Sequence, residues 1–213
     1  IPDQTIRVNF HCHSSVSDGS LSPEQLAAEL AGAGVRFAAL TDHDSIDGLG
    51  AFDQVLAFHG VGLLTGVEIT IEEAPDSFHV LAYGFDPENR ELLEILRQRK
   101  MNRRNGFRED LHKFGAYLKS WSKNGAVSPE HVMAGAAEVI RIIHRAGGTA
   151  FLAHPLSACP DIEKLEQWLV ELKALQLDGI EAFYIGYAES VRERLIAAAC
   201  GQDLLLCAGT DFH

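Results

Sequence analysis

Seven short apolar runs, rich in β-branched and aromatic residues, recur along the chain, and in every gap but one the residues between them follow a helical period. Such alternation marks βα units, in which a helix returns the chain to the start of the next parallel strand. The runs are "IRVNFHCH" (6–13), "FAALTDHD" (37–44), "GLLTGVEIT" (62–70), "FHVLAYGF" (78–85), "GTAFLAHP" (148–155), "GIEAFYIG" (179–186) and "LLLCAGTDFH" (204–213). Between the first two, "SPEQLAAELAGAG" predicts a helix with Ser22 as N-cap, Pro23 in the first turn and glycines at the end. Further helices are expected over 47–59, 161–175 and 188–200. The exception is the seven-residue link "IEEAPDS" (71–77), too short for a crossover, so the third and fourth strands should form an antiparallel hairpin. The expected fold is α/β: a distorted TIM-like (β/α)7 barrel made of residues 1–86 and 147–213, interrupted at 87–146 by a small helical insertion able to cap a substrate.

With 213 residues, 46% of them hydrophobic, the chain can bury a sizeable core. A formal charge of -12 argues against a nucleic-acid duplex or an anionic membrane as partner, since both call for basic surfaces. Bound divalent cations would reverse that sign locally. No apolar run is long enough to span a bilayer, and the first residues lack the basic and apolar parts of a signal peptide, which points to the cytoplasm. The four cysteines, Cys12, Cys159, Cys200 and Cys207, form no CxxC pair and are expected as free thiols, with Cys12 an apolar filler.

In a barrel of parallel strands the working residues sit at the C-terminal strand ends. His11 and His13 end the first run, where alternation points both to one face and Cys12 to the other. His43 ends the second, Glu68 the third, His154 the fifth, and Asp211 and His213 the seventh. His79 opens the fourth, but an antiparallel strand would bring its start to the same mouth, where Asp18 follows in a loop. His59, His112, His131 and His144 fall in helical stretches instead. Six imidazoles and three carboxylates exceed what one four- to six-coordinate ion uses, and the absence of cysteine among them argues against a purely structural zinc site. Two or three cations are implied, with Glu68 as a natural bridge, and three divalent ions against three carboxylates would leave a local charge of about +3 by formal count, suited to a phosphate.

"HCHSSVSDGS", "LTDHDS", "LAHP" and "GTDFH", with "GVEIT" and "FHVLAYG" between them, resemble in order the motifs of the PHP (polymerase and histidinol phosphatase) domain family. "SDGSLSPEQL" and "ALTDHDSIDGL" are most similar to its stand-alone metal-dependent phosphoesterases acting on nucleotides and short oligonucleotides. The resemblance implies a distorted seven-stranded barrel with a trinuclear site: His11, His13, Glu68 and Asp211 on the first metal, Glu68, His79 and His154 on the second, and Asp18, His43 and His213 on the third. It also implies further chain beyond His213 beside the site.

The expected activity is hydrolysis of phosphate esters of nucleotides or short oligonucleotides, with two or three divalent ions (Mn, Fe or Zn, with Mg possible) as cofactors. His11, His43, Asp211 and His213 are the catalytic candidates. In "RQRKMNRR", Lys100, Arg103 and Arg104 fall within about one helical turn and are candidates to grip a second phosphate, although an ordinary solvated helix has the same charge mixture. The alternatives are a histidinol-phosphatase-like or other small-molecule phosphatase, an amidohydrolase-type C–N hydrolase, and a non-catalytic metal-binding module. Against the C–N hydrolase, no strand end offers the bridging lysine common in such barrels; against the silent module, all nine ligand types are present.

Overall fold

A computed structural model of the chain describes residues 7–71, 78–103 and 129–213. Its strands are β1 (Val8–Asn9), β2 (Phe37–Ala38), β3 (Gly62–Leu63), β4 (Gly66–Ile71), β5 (Phe78–Tyr83), β6 (Thr149–Leu152), β7 (Gly179–Tyr184) and β8 (Leu205–Gly209). The helices are α1 (Pro23–Gly32), α2 (Leu49–Phe58), α3 (90–103), α4 (Pro129–Arg145), α5 (Pro155–Ala158), α6 (Ile162–Ala174) and α7 (Glu189–Gly201). None of them is long and apolar enough to cross a membrane. α1 begins as its sequence predicts: the Ser22 hydroxyl accepts from the Gln25 N–H while the Gln25 side chain accepts from the Ser22 N–H, a reciprocal cap that stabilises the first turn by about 1 kcal/mol.

The strands form two sheets, β1-β2-β3, all parallel, and β4-β5-β6-β7-β8. β4 and β5 pair antiparallel, as the short link requires; β5 and β6 are also antiparallel, whereas β6, β7 and β8 run parallel. The fold is mixed α/β, and among the described residues no continuous ladder closes it into one barrel sheet. The two sheets meet along two seams. At one, the N–H of Phe10 donates to Ala208 O (3.0 Å) and that of His13 to Phe212 O (2.8 Å). At the other, the N–H of Asp44 donates to Glu68 O (2.8 Å) in an isolated parallel bridge between His43 and Glu68.

Regular pairing is shorter than the apolar runs predict, and it lapses where the polar residues stand. The second run, expected as strand over 37–44, pairs regularly only over Phe37–Ala38; the seventh stops at Gly209. Asp44 at the end of the second run, His154 two residues past β6 and Asp211 two residues past β8 have φ of 52°, 25° and 50°, a left-handed backbone that breaks the pleat. The third run divides into β3 and β4 at Leu64–Thr65, where Leu64 N–H donates back to Ala38 O and the Thr65 hydroxyl reaches Phe85 O.

Two cores form among the described residues, a small one of Ala39, Leu81, Tyr83, Phe151, Ala153 and Cys207 and a far larger one. Val67, Ile69, Val80 and Leu152 from the large sheet pack with Leu26, Phe52 and Leu56 from α1 and α2 and with Leu165 and Leu169 from α6. Leu92, Ile95 and Leu96 of α3 and Val139, Ile140 and Ile143 of α4 join that core, so both described ends of segment 87–146 are anchored on the sheet.

Candidate metal centre

Glu68 lies on β4 with its side chain fully buried, and five imidazoles surround it. Its Oε2 is 3.4 Å from His11 Nε2, 3.1 Å from His13 Nε2 and 3.2 Å from His43 Nδ1; its Oε1 is 3.0 Å from both His79 Nδ1 and His154 Nε2. Asp211 Oδ1 adds a second carboxylate 3.0 Å from His11 Nε2 and 3.2 Å from His13 Nε2. Asp18 stands on the outer side, 3.7 Å from His13 Nδ1, 3.6 Å from His43 Nε2 and 3.5 Å from His213 Nε2. All nine residues singled out in the sequence therefore meet in one cluster.

Their positions follow from local structure. His11 and His13 share a face while the Cys12 thiol, behind them, donates to Ala39 O (3.2 Å); burial raises that thiol to about 12. His79 opens antiparallel β5 directly opposite Thr70, which puts it beside Glu68. At Gly209 a Cβ would overlap that of His11, and at Gly19 one would overlap the His13 carbonyl, so only glycine lets β8 and the Asp18 loop approach this closely.

Three overlapping sets of ligand atoms each lie within 4.8 Å of one another: His11, His13, Glu68 and Asp211; His43, Glu68 and His79; and His13, Asp18, His43 and His213. The first is the set implied by resemblance, and the third contains the implied one with His13 added. In the second His43 stands where His154 was expected, although His154 Nε2 is 3.3 Å from His79 Nδ1. Chemistry supports cations here. Among the described residues, His11 Nε2, both His13 ring nitrogens, His43 Nδ1, His154 Nδ1 and Glu68 Oε2 are buried without a well-formed hydrogen bond. Most of these atoms lie close to opposite partners yet are misaligned for hydrogen bonding, the arrangement expected when lone pairs aim at shared points. These residues could hold metal ions.

Charge is divided unevenly among the imidazoles. Burial opposes a proton on His13, but Asp211 and Glu68 outweigh it and raise its pKa to about 9. His11 is likewise raised, against its burial, by Glu68, Asp211 and Glu181. Burial wins at His43, where His13, His79 and Arg103 add to it against Glu68, and its pKa falls to about 3, leaving a neutral ring ready to bind a cation. Glu68 is buried and Asp211 partly so, yet the histidines around them hold both well below the ordinary carboxylate range.

Of the basic candidates, Arg103 reaches the cluster, its Nη2 donating to Asp18 Oδ2 at 2.7 Å. Lys100 Nζ donates to Asp47 Oδ2 (2.7 Å) and the Ser45 hydroxyl (3.0 Å), beside the loop that follows His43. Arg104 lies outside the described residues.

Two buried carboxylates escaped the sequence reading. Glu181 accepts from His11 Nδ1 (3.0 Å) through Oε1 and from the His154 N–H (2.8 Å) through Oε2, orienting two ligands at once. Asp42 accepts from the Ser14 N–H (2.7 Å) and from the hydroxyls of Ser14 (2.6 Å) and Ser17 (2.7 Å), fixing the turn that presents Asp18. An acidic residue inside the otherwise apolar "GIEAFYIG" was the available signal for the first; "TDHD" offered one for the second.

Histidines and carboxylates drawn from both sheets around one buried glutamate define a multi-ligand metal-site protein on a mixed α/β scaffold. The model of the PHP domain matches residues 9–181, and the chain belongs to that family. It is 29% identical to a 5′-3′ exoribonuclease of Haemophilus influenzae, over 98% of this chain and 90% of that protein. It is 25% identical to a 3′,5′-nucleoside bisphosphate phosphatase of Chromobacterium violaceum, over 97% and 87% respectively. Among solved structures it resembles one described as an amidohydrolase of Chromobacterium violaceum with bound sulfate (TM-score 0.79, 23% identity, 97% of this chain and 87% of that one). A protein of Bifidobacterium adolescentis assigned as a metal-dependent phosphoesterase is also similar (TM-score 0.71, 22% identity, 98% and 88%).

Proposed function

We propose that the protein is a metal-dependent phosphoesterase that hydrolyses phosphate esters of nucleotides or short oligonucleotides. The observation that carries this reading is the Glu68 carboxylate within 3.4 Å of five imidazoles whose buried nitrogens largely lack hydrogen-bond partners. The substrate class rests on relatives named for an exoribonuclease and a nucleoside bisphosphate phosphatase. In this reading His11, His13, Asp18, His43, Glu68, His79, His154, Asp211 and His213 hold two or three divalent ions, Mn, Fe or Zn, with Mg possible. Such ions supply Lewis-acid stabilisation of phosphate charge and lower the pKa of water they bind.

The chain's own residues do the rest. Glu68 and Asp211 keep the imidazoles at fixed separation, and Glu181 fixes which nitrogen of His11 faces inward. Neutral His43 and His213 stand with Asp18 on the outer side of the cluster, and in this reading they are the imidazoles nearest a leaving group. Arg103 would exchange Asp18 for a substrate phosphate, with Lys100 and Arg104 as further cations on the same segment. We read the two sheets as parts of a distorted barrel opened at its seams, and residues 87–146 as a cap over its mouth.

The test is phosphate release from nucleoside bisphosphates and short oligonucleotides by chelator-treated protein resupplied with Mn, Fe, Zn or Mg, alongside metal analysis. Release that requires a divalent ion and is lost in His11→Ala and Asp211→Ala supports the reading; metal-independent release, or activity retained by both variants, overturns it.

A further inference from the structure

Two aromatic side chains stand beside the metal centre that none of the steps above uses. In a regular strand, residues three apart face opposite sides of the sheet, so with Glu181 aimed at His11, Tyr184 would point away. The β-bulge between Glu181 and Phe183 puts one extra residue into β7 and reverses that alternation. Tyr184 therefore faces the centre: its hydroxyl donates to Asp211 Oδ2 at 3.3 Å, and its ring centroid lies 6.3 Å from that of His154. Tyr187, just beyond the strand, sets its ring 4.9 Å from that of Tyr184, and its hydroxyl accepts from the Leu156 N–H at 3.0 Å. Both hydroxyls are tied down while both rings remain partly exposed, and Ile185 between them is 74% exposed. Rings held this way lose little freedom when a flat apolar group settles on them.

The chemistry differs on the other flank. Asp211 is the ligand touched by Tyr184, and Asp18 is the ligand touched by Arg103 of α3. The cluster thus lies between an aromatic side and a cationic side, the pairing of surfaces that suits a group carrying both a planar base and phosphates.

We propose that Tyr184 and Tyr187 form the stacking surface for the nucleobase of a nucleotide whose phosphate sits at the metal centre. The proposal rests on the nucleotide reading above and adds which residues hold the base. Stacking uses the π-face that every base has, so all four bases are accepted, with purines favoured for their larger area.

The probe pair is deoxyadenosine 3′,5′-bisphosphate and its abasic tetrahydrofuran counterpart, which differ only in the base. The quantity read is the ratio of their kcat/KM values. Tyr187→Leu and Tyr184→Leu should each lower that ratio by roughly five- to hundredfold, and the corresponding Phe variants, which keep the ring, should preserve it. A wild-type ratio near one, or an equal loss on both compounds, would overturn the stacking surface. Should the wild type cleave neither compound, the phosphoesterase reading fails separately. Calorimetric binding of deoxyadenosine monophosphate then decides: binding weakened in the Leu but not the Phe variants supports the surface, and binding that is absent or equal in all variants refutes it.

Discussion

Replacing Glu181 with glutamine measures how much of the metal centre is built by a residue that touches no cation. The wild-type carboxylate is fully buried and accepts twice, from His11 Nδ1 at 3.0 Å and from the His154 N–H at 2.8 Å. Glutamine keeps the volume but has one carbonyl, and its amide NH2 can only donate. With the NH2 toward His154 a donor faces a donor, and with it toward His11 the ring must accept at Nδ1 and move its proton to Nε2, the nitrogen that faces Glu68 and Asp211. A buried donor left unmet costs about 1–3 kcal/mol, and a hydrogen bond to a charged group is worth about 1.5–3 kcal/mol. Because His11 and His154 belong to the ligand cluster, that loss should appear as roughly 10- to 100-fold weaker cation binding. Competition against a chromophoric chelator reads the affinity directly, and phosphate release titrated with the cation should shift by the same factor. Glu181→Ala removes both acceptors and leaves a cavity, so its melting temperature should fall further than that of Glu181→Gln. Cation affinity within twofold of wild type in Glu181→Gln would show that His11 and His154 are held in place without the carboxylate.

Two other perturbations separate binding from structure. Arg103 and Asp18 are each about two-fifths exposed (42% and 38%), so Arg103→Ala should change stability by no more than about 1 kcal/mol while raising KM for a nucleoside bisphosphate about tenfold or more. An equal rise for p-nitrophenyl phosphate would identify the pair as an ordinary solvated ion pair. His13 gives a pH signature in cation-stripped protein. Its folded pKa of about 9 lies above the ordinary 6.5, so the stability it contributes is complete below about 6.5 and is lost as pH rises through about 9. Cation uptake must displace that proton, so affinity should rise with pH across the same window and level off above it. A melting temperature of stripped protein that rises from pH 6.5 to 9, or cation affinity independent of pH there, would contradict the protonated His13.

The alternation of apolar runs and helical periods was enough to read an α/β chain, the four crossover helices and the hairpin of β4 and β5, because those features depend on spacing alone. The extent of the strands did not follow, since an apolar run shows where a segment is buried and not whether its backbone stays pleated. "FAALTDHD" is buried almost throughout yet pairs regularly over two residues; past Ala38 its backbone bonds turn irregular, and at its end Asp44 adopts a left-handed backbone with its carboxylate accepting from the Thr70 N–H and hydroxyl. Among the described residues no single barrel sheet forms, because the seams at His43–Glu68 and Cys12–Phe212 are isolated bridges beside ligand positions.

The cluster was legible to the extent that its residue types are unusual where they stand. An imidazole ending an apolar run is conspicuous, and six imidazoles and three carboxylates placed at one mouth reinforce one another. Glu181 and Tyr184 gave no comparable signal, because the facing of each depends on a bulge that "GIEAFYIG" does not announce; a strict two-residue period would let only one of them look inward. Asp42 is hidden differently, since its worth lies in two serines from a distant loop. The residues that hold a site are thus harder to read than those that form it: a ligand is recognised by its own chemistry, whereas a supporting residue is recognised only by its neighbours. The left-handed backbones at His154 and Asp211 depend on their neighbours in the same way. Each costs of order 1–3 kcal/mol and belongs to the ligand cluster, so the geometry is maintained by what surrounds it, the Glu181 acceptor at one and the Tyr184 hydroxyl at the other.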